Sequence, residues 1–94
     1  MTGTSRTSAD LDPRRRRVLV RAWRRGMREM DLVLGGFADA HIGTLSDADV
    51  AEFEALLEVP DPTLYPWVTG AAQVPQAYDT PLLAWIRSTA GATA

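Results

Sequence analysis

Apolar residues recur at helical spacing in five separate stretches of this chain, and no stretch alternates apolar and polar positions as a half-buried strand would. Val18, Leu19, Ala22 and Trp23 fall at i, i+1, i+4 and i+5, one stripe on a helix expected over residues 13–24. Asp12 offers its N-cap and Pro13 its first position, where a missing backbone N–H costs nothing. Gly26 follows. Glycine adopts the left-handed conformation that ends helices without a Cβ clash, so a tight helix–helix turn is expected at Arg25 and Gly26.

The pattern then resumes. Met30, Leu34, Phe37, Ala38 and His41, widened by Val33 and Ile42, define a second helix over 27–42, broken by Gly43 and Thr44. Ser46 starts a third over 46–58, with Asp49 three residues on in the manner of a capping box and Val50, Phe53, Leu56 and Leu57 as its buried face. Asp61 followed by Pro62 reads as the N-cap and first position of a short fourth helix over 62–69 that buries Leu64, Trp67 and Val68 and stops at Gly70. Pro66 removes a backbone hydrogen bond inside it, so a distorted or 3₁₀-like turn is expected there. Residues 70–78 (GAAQVPQAY) read as a linker or surface loop. Asp79 or Thr80 with Pro81 opens a fifth helix over 80–90, with Leu82, Leu83, Ile86 and Ala90 on one face. The expected fold is all-α, a single small five-helix bundle over 13–90 between flexible ends at 1–12 and 91–94.

Composition narrows what such a bundle can do. Ninety-four residues make one domain, and 46% hydrophobic with 23% charged residues is a globular rather than a disordered balance. With no cysteine there is no disulfide, thiolate metal site or cysteine nucleophile. No apolar run approaches the length of about 20 residues that spans a bilayer, and residues 1–12 lack a signal-peptide core, so a soluble, cytoplasmic protein is expected. Charge is unevenly spread: nine of the ten arginines lie in residues 1–28 against two acids, and the other ten acids follow with Arg87 alone. That asymmetry suggests electrostatic steering towards a partner, with residues 14–17 as a solvated run that aids solubility and encounter.

No phosphate loop, metal-ligand spacing or catalytic triad can be assembled around the single histidine, so no catalytic residue and no metal site is assigned. His41 sits on an apolar face and is read as structural. The informative stretch is RRGMREMD, Arg24 to Asp31, where the first helix hands over to the second. Glycine keeps the turn free of bulk so that a partner can approach, with Arg25 and Arg28 flanking the flat spot. Glu29 lies in the first turn, favoured by the helix's positive end, and is spaced to pair with Arg25 across the turn. A plain structural account also covers these residues, with Gly26 ending a helix and Glu29 an ordinary first-turn acid.

RRGMREMD, followed by LSDADVAEFEALLEVPDPTLYPWVTG over 45–70 and YDTPLLAWIR over 78–87, resembles the SdhE-type FAD assembly factors. The most specific element is Arg-Gly-x-x-Glu, here Arg25, Gly26 and Glu29, in the order and spacing of the later segments. The resemblance implies a bacterial, non-catalytic assembly factor, monomeric when free. It implies binding to the flavoprotein subunit of succinate dehydrogenase or fumarate reductase, whose own histidine becomes linked covalently to FAD. Partner contacts would fall on Arg25, Gly26, Arg28, Glu29 and Asp31. FAD would be attached to the flavoprotein rather than held stably by this chain, and no direct membrane insertion is implied. Gly36 and Pro66 depart from the family's pattern. Trp67 is read as a core anchor, and Trp85 as either core edge or exposed patch.

The rival class is a nucleic-acid-binding module using the Arg-rich first helix. Against it stand the acidic remainder of the chain and the lack of Asn, Gln or Ser on that helix to read base edges.

Overall fold

The computed structural model describes residues 11–93, with side chains through residue 90. Its elements in chain order are α1 (Pro13–Trp23), α2 (Arg28–His41), α3 (Asp47–Leu57), α4 (Asp61–Thr69), a 3₁₀ turn (Gln76–Tyr78) and α5 (Pro81–Thr93), with no strand among the described residues. The expected all-α fold of five helices is therefore present, and α5 runs on to Thr93, into the segment expected as a flexible end. Of the terminal segments assigned to 1–12 and 91–94, residues 1–10 and 94 lie outside the described residues; Leu11 is 5% exposed and joins the core.

The stripes point where their spacing directs them. Val18, Leu19 and Ala22 of α1, Met30, Leu34 and Phe37 of α2, Val50 and Phe53 of α3, Leu64 of α4, and Leu82, Leu83 and Ile86 of α5 share one core, each at 3% exposure or less. No polar or charged residue is buried among them in the described region. The starts are capped as the sequence directs: Asp12 accepts from the Arg15 N–H at 2.8 Å, Ser46 Oγ from the Asp49 N–H at 3.1 Å, and Thr80 Oγ1 from the Leu83 N–H at 3.2 Å. Trp67 is a core anchor at 7% exposure, its ring 5.2 Å from Tyr78 of the 3₁₀ turn. None of the helices in the described residues is long and apolar enough to cross a membrane.

α1 packs most extensively on α2, and Gly35 is what lets them close. A Cβ built there would lie 2.3–2.7 Å from the Trp23 indole, well inside contact distance, so the ring rests directly on the α2 backbone. Gly36, its neighbour, faces open space.

Three expectations are corrected. α4 stays α-helical through Pro66 instead of turning 3₁₀. One ladder bond is lost, the one that Pro62 would accept; Pro62 is exposed, so water can take its carbonyl, while buried Leu64, Trp67 and Val68 hold the helix in place. Asp61 is not the N-cap. Pro60 occupies that position without a side-chain cap bond, and the Asp61 carboxylate is engaged elsewhere. The run at residues 14–17 is not simply solvated. Arg14 forks onto Glu54 of α3, with Nη2 to Oε1 at 2.7 Å. Arg15 donates to the Ile42 carbonyl at the end of α2 at 2.6 Å and pairs with Asp47 at 3.1 Å, its side chain only 14% exposed. Arg16 donates to the Leu11 carbonyl.

The Arg14 hydrogen bonds hold the Glu54 carboxyl below its ordinary pKa, outweighing the partial desolvation that pushes it up. The same bond raises the Arg14 guanidinium above its usual value.

Candidate partner-contact site

The chain leaves α1 at Arg24, turns through Gly26 at φ +95°, and enters α2 at Arg28. Positive φ is cheap only for glycine, which is why this residue can sit here. What fixes the turn is the set of bonds made by its neighbours. The Arg24 N–H returns to the Arg21 carbonyl at 3.2 Å, and the Arg25 N–H donates to Asp31 Oδ1 at 2.6 Å, so Asp31 reaches back over the first turn of α2 to cap the loop before it.

The Arg25 side chain points into the molecule. Its Nε donates to Asp61 Oδ1 at 2.9 Å, Nη1 to the Leu57 carbonyl and Nη2 to the Val59 carbonyl. One guanidinium thereby satisfies the last carbonyls of α3, the turn after it and the first residue of α4. With the two side chains only 11% and 14% exposed, this is the most sheltered ion pair of the described residues. Arg21 adds a second tie beside it, to Glu58.

The five residues assigned to partner contact thus separate into two groups. Arg25 and Asp31 are committed to internal bonds. Gly26, Arg28 and Glu29 are exposed together on the turn and the first turn of α2, and among the described residues neither Arg28 nor Glu29 has a hydrogen-bond or ion-pair partner. The expected Glu29–Arg25 pair does not form, because Asp61 and two carbonyls already hold the guanidinium. Arg24, exposed just before the turn, is likewise without a partner among the described residues. Among the described residues the surface is therefore a glycine flanked by two unpaired cations and one unpaired carboxylate, on a turn tied down by the internal bonds of Arg25 and Asp31.

Asp61 was missed by sequence reasoning, since Asp-Pro is an equally good N-cap signal. Gly36 adds no obstruction, as a Cβ there would meet nothing within 4 Å. The His41 ring packs at a tilt against two aromatic rings, 4.8 Å from Phe37 and 4.3 Å from Trp85. Trp85 is both core edge and exposed patch, packed edge-on to Phe37 at 4.9 Å yet 40% exposed. No group of three or more potential ligands gathers into a metal site among the described residues.

A family model described as the flavinator of succinate dehydrogenase matches residues 16–90, which takes in this turn, α2 to α4 and most of α1 and α5. The chain belongs to that family. It is 39% identical over 74 residues to the FAD assembly factor SdhE of Acetobacter pasteurianus, covering 79% of this chain and 68% of that protein. To the mitochondrial succinate dehydrogenase assembly factor 2 of Dictyostelium discoideum it is 33% identical over 75 residues, covering 80% and 53%. To assembly factor 2-A of Drosophila erecta it is 31% identical over 84 residues, covering 87% and 52%. The chain spans about half the length of these two mitochondrial relatives. The Gly26 turn lies inside the matched span.

Proposed function

We propose that this flavinator binds the flavoprotein subunit of succinate dehydrogenase, with fumarate reductase as a second possible client, and promotes covalent attachment of FAD to it without catalysing the linkage itself. The observation that carries this reading is the family match across residues 16–90. The exposed Gly26, Arg28 and Glu29 supply the contact surface, and the internally bonded Arg25 and Asp31 hold that surface in shape. A rigid, preformed surface suits such a task. Holding a flexible partner in a reactive geometry removes orientational freedom, an effect that can lower a barrier by about 7–11 kcal/mol. In this reading FAD and the nucleophile both belong to the partner, the chain acts as a monomer that departs afterwards, and its place of work is the cytoplasm.

The nucleic-acid alternative has no observation in its favour, and the internal pairs of Arg14, Arg15, Arg21 and Arg25 offset part of the charge a duplex backbone would need. Co-expression of a candidate flavoprotein subunit with and without this chain, followed by in-gel flavin fluorescence after denaturation, tests the proposal. Covalent flavin should rise sharply when the chain is present. Equal fluorescence in both samples, with the chain folded and abundant, refutes it.

A further inference from the structure

The outward face of α2 continues from the Gly26 turn as a single stripe. Arg28 and Glu29 begin it, Leu32 follows, and Gly36 and Ala40 continue it at helical spacing. Leu32 is 51% exposed, and with Trp85 and Val20 it is one of three large apolar residues so exposed in the described chain. Between α2 and α5 runs a groove of about 200 Å³ lined by Leu32, Gly36, Phe37, His41 and Thr89, and Trp85 packs edge-on to Phe37 and tilted against His41, two of those lining residues. Because Gly36 has no side chain, the groove reaches the α2 backbone itself.

We infer that this groove receives one apolar side chain of the flavoprotein partner and serves as the anchor of the contact that begins at Gly26. The inference rests on the function proposed above and extends its contact surface along α2. Continuity decides the occupant: the groove opens on the same helix face as Glu29, little more than two turns away, so a partner seated on the turn also covers it. A single large side chain in a preformed pocket is the usual form of an interface anchor, ringed by polar contacts such as Arg28 and Glu29 would make.

Gly36→Leu tests this without endangering the fold. Gly36 has no positive φ and faces open space, so the helix accepts the side chain while the groove is filled. Binding of purified flavoprotein subunit would be titrated against the wild type, Gly36→Leu, Leu32→Ser and Glu29→Ala, with urea unfolding of each and sedimentation of the chain alone. The expected result is at least tenfold weaker binding by both groove variants, with an unfolding midpoint for Gly36→Leu at or above that of the wild type. Wild-type affinity in Gly36→Leu, alongside a loss in Glu29→Ala, overturns the groove assignment and leaves the Gly26 surface standing. A self-associating wild type that Gly36→Leu renders monomeric, with partner binding intact, overturns it in favour of a second copy. No binding by the wild type overturns the groove and the proposed function together.

Discussion

Replacing Arg25 by alanine separates a structural role from a contact role at the Gly26 turn. The change removes three charge-assisted hydrogen bonds, to Asp61, Leu57 and Val59. It leaves behind a carboxylate whose side chain is only 14% exposed and two carbonyls at the α3–α4 junction. Breaking a well-buried pair by deleting one partner costs about 3–5 kcal/mol, and each orphaned polar group about 1–3 kcal/mol. Some exposure remains at this site and water reaches part of it, so the expected loss is about 3 kcal/mol. In a domain of this size that lowers Tm by roughly 12–24 °C. Glu29→Ala is the counterpart. Its exposed carboxylate has no partner among the described residues, so the loss is limited to the favourable field at the start of α2, about 0.3–1 kcal/mol.

The assay measures urea unfolding and covalent flavin on the partner from the same preparations. Arg25→Ala should lose flavin attachment in proportion to its unfolded fraction, and recover it in conditions that refold it. Glu29→Ala should stay folded and still lose attachment. A double substitution, Arg25→Ala with Asp61→Ala, should be less destabilised than the sum of the two single changes, because neither charge is then left without its partner. An Arg25→Ala protein with an unchanged unfolding midpoint and no flavin attachment would refute the reasoning, and would move Arg25 from clamp to contact surface.

The adjacent glycines of α2 should respond to alanine with opposite signs. Gly35→Ala forces a Cβ into the Trp23 ring and should cost about 1–3 kcal/mol, whereas Gly36→Ala enters open space on a helix and should gain about 0.5–1 kcal/mol; chemical denaturation with tryptophan fluorescence reads both. Stability should decline in acid partly through Glu54. Its folded pKa is depressed, so its contribution is fully present above the unfolded value and lost as pH falls through the folded one; Glu54→Gln should flatten that part of the profile in pH-dependent unfolding. Replacing Arg17 and Arg24 by serine should slow association with the flavoprotein and reduce its salt dependence in stopped-flow mixing, at little change in Tm, because neither side chain makes a hydrogen bond or ion pair among the described residues and Arg17 acts on Glu54 only through its charge.

Helix positions were legible because they are decided locally. The stripes at Val18, Leu19 and Ala22 or at Leu82, Leu83 and Ile86 follow from a period of 3.6, and Asp12, Ser46 and Thr80 announce the starts through bonds spanning three residues. Gly26 was legible for the same reason. Pro66 was misjudged because one lost backbone bond was weighed without the burial of Leu64, Trp67 and Val68 that outweighs it. Asp61 was misassigned because its short-range cap and its long-range pair compete for the same oxygens, and only the tertiary fold brings Arg25, thirty-six residues earlier, within reach. In the same way, nothing local distinguishes Gly35 from Gly36 until Trp23 is known to lie on one of them.

The uneven charge of the chain was the least legible feature, and its resolution bears on how the surface works. The basic start looked like a device for attracting a partner. In the folded chain much of it faces α3 and the junctions around it, with Arg14 on Glu54, Arg15 on Asp47, Arg21 on Glu58 and Arg25 on Asp61. Long side chains can be placed on a helix by spacing, but their partners depend on which element packs alongside, and α1 lies against α3. Exposed pairs of this kind add little stability one at a time, and only the Arg25 pair is sheltered enough to count heavily. Their combined effect is to remove four cations from the field a partner meets. Among the described residues around the Gly26 turn, Arg24, Arg28 and Glu29 then remain as the unpaired charges of the exposed surface. Opposite signs at close quarters favour one docking register over a general attraction for any acidic surface. If the proposed contact surface is the one a client meets, recognition depends on where these charges sit, and loss of Glu29 should weaken attachment more than loss of an arginine farther along α1.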